Sequence, residues 1–217
     1  STMMKIFLDT AVPSTIEKHF SSGLIDGVTT NPSLILKAGE KPDDIYAAIK
    51  SIGVTDISME VSGDADEMLD DAHRLADKFG DVATIKVPCT PDGLKVCRKL
   101  SRELIGTNVT LVFTAAQAIL ASKAGATYVS PFVGRLDDQS VAGLEVVRAI
   151  SDLYKIHRRP TQVLAASIRS VQRVVRSFYN GAEIVTMPPS IFKQMYKSIL
   201  TDAGLEIFSQ DLKMTKK

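Results

Sequence analysis

Cysteine and histidine are scarce in this sequence, with two cysteines and three histidines among 217 residues. Cys89 and Cys97 lie eight positions apart, with no second cysteine pair and no histidine nearby, so their spacing argues against a zinc site. A chain of this length also needs no disulfide framework. We therefore interpret both residues as reduced thiols of a cytoplasmic protein.

An excess of charge of one sign is also missing. The chain has 26 basic and 25 acidic residues, and no basic tract stands out, so we expect no binding to nucleic acid. No apolar run approaches the length that spans a bilayer, and the N-terminus lacks the pattern of a signal peptide, so we expect no membrane partner. Residues 1–3 precede Met4 and are interpreted as a remnant of cloning outside the fold.

The chain does contain a repeated alternation of short apolar strands and helical segments. Strands are predicted at residues 5–8, 28–30, 56–61, 82–87, 107–112, 127–129, 162–166 and 183–187. A first helix, capped by Thr10 or Ser14, is predicted to end near residue 22. Further helices are predicted to begin at residues 41 and 90 and to span residues 64–79, 115–124, 141–156, 171–179, 191–199 and 202–212.

This alternation predicts a single-domain (β/α)8 TIM barrel over residues 1–217, with a helix at its C-terminus. An open doubly wound sheet is the nearest alternative. That architecture commonly carries a glycine-rich phosphate turn after its first strand, whereas Leu8, Asp9 and Thr10 follow one another here without a glycine. The barrel is therefore the favoured fold.

One lysine stands within an apolar strand. Lys86 lies between Ile85 and Val87, and Pro88 ends the strand because proline lacks the N–H of the ladder. Burial of an unpaired ammonium disfavours its charged form, so such a lysine can act as a nucleophile that forms an imine with a carbonyl substrate. Two structural alternatives stay open: a side chain that reaches water at the strand end, and an inward charge that protects a sheet edge.

Polar residues also recur where the predicted strands end, and in a barrel these positions face one shared pocket. They are Asp9, Asn31, Glu60, Lys86, Asn108 with Thr110, Ser130, and Ser167 with Arg169, whereas strand eight offers no strong candidate. Each residue alone has an ordinary structural explanation, such as a turn, a helix cap or a surface charge. An amine, two carboxylates, two amides and several hydroxyls at equivalent positions are hard to explain by folding requirements alone.

This set of side chains suits one kind of chemistry. The lysine amine adds to a ketone, a carboxylate-bound water assists imine formation, and a second carboxylate exchanges a proton with a substrate hydroxyl as a C–C bond breaks. The amides and hydroxyls suit a hydroxyl-rich substrate. Arg135 and Arg169, with Ser167, suit a terminal phosphate. This chemistry requires no metal and no other cofactor.

Six runs of residues resemble the transaldolase family, in its short-chain branch that also contains fructose 6-phosphate aldolases. They are residues 7–10 (FLDT), 27–33 (GVTTNPS), 85–88 (IKVP), 108–113 (NVTLVF), 128–138 (YVSPFVGRLDD) and 165–169 (AASIR). The resemblance extends from Met4 to about Leu212. The combination of runs is specific to the family, although no single run is.

The resemblance implies a role for each residue that matches. Lys86 would form the Schiff base, Asp9 would be the general acid and base at the C4 hydroxyl, and Glu60 and Thr110 would hold the water used in imine chemistry. Substrate contacts would come from Asn31, Asn108, Ser130, Phe132, Arg135, Ser167 and Arg169, with the last three of these at the phosphate. The implied reaction transfers dihydroxyacetone between sedoheptulose 7-phosphate and glyceraldehyde 3-phosphate, in the non-oxidative pentose phosphate pathway.

Two positions favour a transferase over a lyase. Simple aldolases that resemble this family tend to carry Gln and Tyr where this chain has Glu60 and Phe132. A tyrosine hydroxyl can protonate the enamine and so release dihydroxyacetone, whereas phenylalanine has no proton to give. A fructose 6-phosphate aldolase and a barrel that binds sugar phosphates without catalysis are the alternatives. The resemblance also implies a homo-oligomer, as a pentamer or a decamer.

Overall fold

The computed structural model describes residues 4–215 and shows a closed barrel of eight parallel strands. Each strand pairs with the next one in the chain and the first pairs with the last, so the sheet has no edge. The strands are β1 (Lys5–Asp9), β2 (Gly27–Thr29), β3 (Ile57–Glu60), β4 (Ala83–Pro88), β5 (Thr107–Val112), β6 (Tyr128–Pro131), β7 (Gln162–Ala165) and β8 (Ile184–Met187). The predicted (β/α)8 barrel is confirmed. The remnant inferred for residues 1–3 lies outside the described residues.

Helices connect the strands and cover the outside of the barrel. Those in the described range are α1 (Pro13–Phe20), α2 (Pro32–Ala38), α3 (Pro42–Ile52), α4 (Ala65–Phe79), α5 (Pro91–Arg102), α6 (Ala115–Lys123), α7 (Val133–Asp138), α8 (Gly143–Ile156), α9 (Val171–Tyr179), α10 (Pro189–Gln194) and α11 (Ile199–Met214). A 3-10 turn at Gly80–Val82 precedes β4. The helices that bury one face, such as α4 and α5, place their apolar residues at helical spacing against the strands.

Four helix predictions need correction. The helix predicted over residues 191–199 ends at Gln194, and a separate helix begins at Ile199. The sequence did not predict α2 and α7, which follow β2 and β6. The side chain of Asn31 caps α2 by accepting a 2.9 Å hydrogen bond from the backbone N–H of Leu34, and Pro32 occupies the first helical position. Capping of α1 by Thr10 or Ser14 was wrong, because its N-cap is Val12, which makes no side-chain cap hydrogen bond.

Aromatic and aliphatic side chains fill the barrel below its carboxyl end. Phe7, Tyr128, Leu164 and Ile184 form a buried cluster, in which the rings of Phe7 and Tyr128 meet edge to face with centroids 6.1 Å apart. The hydroxyl of Tyr128 donates a 2.6 Å hydrogen bond to Asp56. The interior of the barrel is thus a packed core, and open space begins only above it.

The last helix of the chain has no buried residue. Every residue of α11 is partly or fully exposed, including Ile199, Leu205, Phe208 and Leu212. No helix within residues 4–215 combines the length and the apolar character needed to cross a membrane. The apolar surface of α11 therefore lacks a partner among the described residues.

Candidate active site

A cavity of about 140 Å³ opens at the carboxyl ends of the strands, and we call it the barrel cavity. Nine of the eleven predicted site residues line it: Asp9, Asn31, Lys86, Asn108, Thr110, Ser130, Phe132, Arg135 and Ser167. Seven of the eight strands, or the residues directly after them, contribute to this lining. The parallel barrel thus brings together side chains that are far apart in the sequence.

Lys86 lies on β4 and is almost fully buried, with 6% of its surface exposed. Its Nζ donates a 3.0 Å hydrogen bond to the backbone carbonyl of Thr30 and lies 3.7 Å from Oε1 of Glu60. The closed barrel has no edge for the lysine to protect, and its amine faces the barrel cavity and not bulk water. The amine is therefore placed where a bound carbonyl compound can meet it.

Asp9 lies at the end of β1 and also faces the barrel cavity. Burial raises the pKa of its carboxyl group, while the positive charge of Lys86 and a hydrogen bond from Thr29 lower it. The Thr29 hydroxyl donates that bond over 2.9 Å. A carboxylate with a raised pKa, close to an amine, is suited to exchange protons at physiological pH.

Glu60 is a second carboxylate whose pKa depends on both burial and Lys86. Burial raises the pKa of its carboxyl group, and the positive charge of Lys86, 3.7 Å away, lowers that pKa. Glu60 does not line the barrel cavity, but lines a second cavity next to it. Lys86 thus lies between two carboxylates that reach it from different cavities.

Two hydrogen bonds hold the side chain of Asn108 at the base of the cavity. Ser130 donates a 2.7 Å bond to its Oδ1, and its Nδ2 donates a 3.2 Å bond to the hydroxyl of Ser58. The buried hydroxyl of Thr110, two residues further along β5, has no hydrogen-bond partner among the described residues. Because a buried hydroxyl is costly to leave unpaired, this atom marks a place where a water or a substrate group fits.

An aromatic pair lies beside the cavity, and one of its rings, Phe132, lines it. The rings of Phe113 and Phe132 lie with centroids 5.6 Å apart, and the guanidinium of Arg135 lies 5.1 Å from the centre of the Phe132 ring. This contact orients Arg135, which also lines the cavity. An apolar ring and a guanidinium are therefore held side by side at the mouth.

Ser167 adopts a left-handed backbone conformation, with φ of 58°, and accepts a 2.8 Å hydrogen bond from the N–H of Gly134 through its carbonyl. A Cβ on Gly134 would come within 2.3 Å of that carbonyl oxygen, so only glycine permits this close approach. Arg169 does not line the barrel cavity, since it is exposed and forms an ion pair with Asp138. The structure thus brings Ser167 to the site but leaves Arg169 at its edge.

Several lining residues were missed by the sequence analysis, namely Thr29, Thr186, Leu164 and Ala166. Thr186 corrects the statement that strand eight offers no strong candidate. Its hydroxyl lies 2.6 Å from that of Thr29. The signal for Thr29 was its position two residues before Asn31, because alternate residues of a strand point to the same face.

The thiols and the metal-binding capacity of the described residues add no further site. Cys97 is buried with its sulfur 3.4 Å from the Thr107 hydroxyl, Cys89 is half-buried, and burial raises the pKa of both thiols. Within residues 4–215, no three His, Cys, Asp or Glu side chains are grouped so that they could hold a metal ion.

Comparison with known proteins identifies relatives over the whole chain. Residues 6–217 match the family described as Transaldolase/Fructose-6-phosphate aldolase. A probable transaldolase from Nitrosopumilus maritimus strain SCM1 is 46% identical over 98% of this chain and 96% of its own length. A probable transaldolase from Thermodesulfovibrio yellowstonii is 48% identical, covering 99% and 100%, and one from Caulobacter vibrioides is 46% identical, covering 96% of each chain.

Proposed function

The chain belongs to the transaldolase/fructose-6-phosphate aldolase family, and from that premise we propose that it is a transaldolase acting through a lysine Schiff base. It transfers a dihydroxyacetone unit between sedoheptulose 7-phosphate and glyceraldehyde 3-phosphate, giving fructose 6-phosphate and erythrose 4-phosphate. The observation that carries this proposal is the buried amine of Lys86, which lies 3.7 Å from one carboxylate and shares the barrel cavity with another.

Formation of the imine is the first step. The Lys86 amine attacks the C2 carbonyl carbon of the ketose, a C–N bond forms, and the carbonyl oxygen leaves as water. Glu60 and Thr110 hold that water and return one in the final hydrolysis. The unpartnered hydroxyl of Thr110 supports this role, because it offers a buried hydrogen-bonding site that the described residues do not fill.

Cleavage of the C3–C4 bond follows. Asp9 accepts the proton of the C4 hydroxyl, the aldehyde product forms, and the electron pair of the broken bond moves into the imine to give an enamine. The raised pKa of the Asp9 carboxyl suits it to take this proton and to return one to the acceptor aldehyde in the reverse direction.

Different residues of the cavity bind the dihydroxyacetone part and the phosphate of the substrate. Asn31 and Asn108 contact the dihydroxyacetone hydroxyls, and Ser130 supports Asn108 through their hydrogen bond. Arg135 and Ser167 hold the phosphate. Arg169 joins them only if its ion pair with Asp138 opens or is shared with the phosphate.

Phe132 is the reason for proposing transfer and not simple cleavage. Its ring lies against Phe113 and Arg135 and lines the cavity without a hydroxyl. The enamine therefore has no phenolic proton at this position and persists until an aldehyde acceptor arrives.

The resemblance to the family extends the proposal to assembly and location. We infer that residues 1–217 act as one barrel domain in a cytoplasmic homo-oligomer, within the non-oxidative pentose phosphate pathway. The exposed apolar residues of α11, among them Ile199, Leu205 and Phe208, support assembly, because a second copy of the chain would remove them from water. Sedimentation of the full chain measures the number of copies.

Borohydride trapping tests the imine. Incubation with fructose 6-phosphate and borohydride is expected to add the mass of the reduced sugar phosphate, or of the reduced dihydroxyacetone unit left after cleavage, to one peptide, the one that contains Lys86. Lys86→Met should lose both labelling and turnover while keeping its fold, because the unbranched apolar side chain fits the strand. Lys50→Met is the control lysine, since Lys50 donates to the carbonyl of Phe79 and lies outside the barrel cavity. Labelling elsewhere, or none, contradicts the proposal.

A further inference from the structure

A second cavity lies beside the barrel cavity, between α2, α3 and α4, and we call it the side groove. Its volume is about 920 Å³, and its lining includes Asn31, Ile35, Tyr46, Glu60 and Leu75. Asn31 also lines the barrel cavity and thus stands between the two spaces. The side groove therefore reaches the catalytic residues from a direction that the barrel mouth does not use.

The inner end of the side groove is formed by Glu60. The side chain of Glu60 is 23% exposed, whereas that of Lys86, 3.7 Å away, is 7% exposed. Because Glu60 lines the side groove and does not line the barrel cavity, water reaches its carboxylate through the groove. Lys86 itself lines the barrel cavity. These two side chains, one from each space, thus face each other across 3.7 Å.

The charges along the side groove disfavour a sugar phosphate. Its five carboxylates are Glu40, Asp43, Asp44, Glu60 and Asp71, and its three cations are Lys41, Arg74 and Lys78. Arg74 and Lys78 already form ion pairs with Asp43, at 2.6 and 2.8 Å. An anionic sugar is repelled by such a lining and attracted by Arg135 at the barrel mouth, whereas neutral water enters freely.

We propose that the side groove is the water route of the active site, through which water leaves and reaches Lys86 and Glu60 while the sugar occupies the barrel mouth. This inference rests on the imine mechanism proposed above. Each imine that forms releases one water, and each hydrolysis consumes one. A bound sugar fills most of a 140 Å³ cavity, so a separate route lets this water exchange with solvent during the reaction.

Tyr46 is the positioning residue of this route. Its ring is nearly buried and packs edge to face against Phe79 with centroids 5.8 Å apart, which fixes it in the groove wall. Burial raises the pKa of Tyr46, and the negative charge of Glu60 raises it further. Tyr46 and Glu60 also line the same groove. There the Tyr46 hydroxyl can orient a water that approaches the carboxylate.

The test follows the origin of an oxygen atom. Fructose 6-phosphate is incubated with the enzyme in ¹⁸O-labelled water, and ¹⁸O at C2 of the recovered sugar is measured after subtracting the exchange seen with Lys86→Met. Ile35→Trp places a large ring in the side groove and should lower this exchange several-fold. Leu120→Trp is the control and should leave the exchange unchanged, because Leu120 is an exposed residue of α6 and lines neither cavity.

Borohydride labelling of the same variants separates the possible failures. If Ile35→Trp is labelled at Lys86 like the unmodified enzyme but exchanges oxygen several-fold more slowly, the water route is supported. If a folded Ile35→Trp exchanges oxygen at the unmodified rate, the route is wrong. If the unmodified enzyme is not labelled at all, the imine mechanism itself fails, and this inference fails with it.

Tyr46→Phe provides a second variant that adds no bulk to the side groove. Its exchange should fall by roughly tenfold, as the loss of one hydrogen bond to a reacting water implies. Tyr154→Phe is the matched control, because its hydroxyl donates to the carbonyl of Ala118, far from the groove. Unchanged exchange in Tyr46→Phe removes the role of this residue. Should Ile35→Trp not fold, Ile35→Phe takes its place, and unchanged exchange in a folded Ile35→Phe overturns the water route.

Discussion

The hydroxyl of Thr29 donates a 2.9 Å hydrogen bond to the carboxylate of Asp9 on the neighbouring strand. A threonine hydroxyl has one proton, so the 2.6 Å contact between Thr29 and Thr186 places Thr186 as the donor. Thr186 on β8 thus donates to Thr29 on β2, which donates to Asp9 on β1, and we call this chain of hydrogen bonds the hydroxyl relay. This relay stabilises the charged form of the carboxylate against burial, which favours the neutral form.

Thr29→Val tests this relay through the pH dependence of catalysis. Burial already raises the pKa of Asp9 above its ordinary value of 3.8, and loss of the Thr29 hydrogen bond raises it further. Because the proposed mechanism needs ionised Asp9, the acid limb of kcat/KM is expected to move to higher pH. Thr186→Val, one step further from the carboxylate, should move it less. An acid limb at the same pH in Thr29→Val contradicts the role of Asp9.

Asp9→Asn separates imine formation from bond cleavage. Asparagine cannot accept the C4 proton, so the turnover is expected to fall by about 10²–10⁴-fold, the usual contribution of a general acid or base. Borohydride should still fix fructose 6-phosphate to Lys86, since the amine is unchanged. Asp77→Asn, exposed on α4, is the control and should keep full activity. Loss of labelling together with turnover would assign Asp9 to imine formation instead.

Phe132→Tyr tests why the enamine waits for an acceptor. A hydroxyl at this position can protonate the enamine, so release of dihydroxyacetone without an aldehyde acceptor should rise several-fold. Phe113→Tyr is the control, because its ring lies 5.6 Å from that of Phe132 and it does not line the barrel cavity. If acceptor-independent release stays constant in Phe132→Tyr, the proton for that release comes from another group.

Tyr128→Phe tests a polar contact in the packed interior. Asp56 accepts hydrogen bonds from Tyr128 and Thr84, at 2.6 and 2.7 Å, and both lower a pKa that burial raises. Removing the Tyr128 hydroxyl should lower the free energy of unfolding by about 1–3 kcal/mol at neutral pH. Urea unfolding at two pH values measures this change.

The raised pKa of Asp56 determines how the effect of Tyr128→Phe on stability depends on pH. The folded-state pKa of Asp56 lies above its unfolded value, so ionisation costs folding free energy as the pH rises through the folded pKa. Without the Tyr128 hydroxyl that cost increases. The loss of unfolding free energy in Tyr128→Phe should therefore be larger at about pH 7 than at about pH 4. Tyr154→Phe, whose acceptor is a neutral carbonyl, should show equal losses at both values. Equal losses in Tyr128→Phe would contradict the account.

The barrel and much of its site could be predicted from the sequence because local pattern and shared geometry agree. Strand β5 occupies its predicted residues 107–112, and Asp9, Lys86 and Ser130 meet in one cavity as expected. The helix α5 begins as predicted, with Thr90 as its N-cap and Pro91 at its first position. These signals act over a few residues and are repeated in each βα unit.

Other features depend on contacts between distant residues. Asn31 followed by Pro32 is a helix start, and no helix was predicted there. Thr186 lines the cavity next to Thr29, which is 157 positions away in the chain. The ion pair of Arg169 with Asp138, and the side groove that leads to Glu60, likewise exist only once the helices are packed.

The release of glyceraldehyde 3-phosphate from fructose 6-phosphate, with and without erythrose 4-phosphate, tests the central claim most directly. The assay is run at neutral pH with a metal chelator present. We predict release beyond one equivalent per active site only when erythrose 4-phosphate is present, since the enamine left on Lys86 needs an acceptor before the next turnover. Equal release without erythrose 4-phosphate would make the protein a lyase, and no release in either condition would contradict the proposed catalysis.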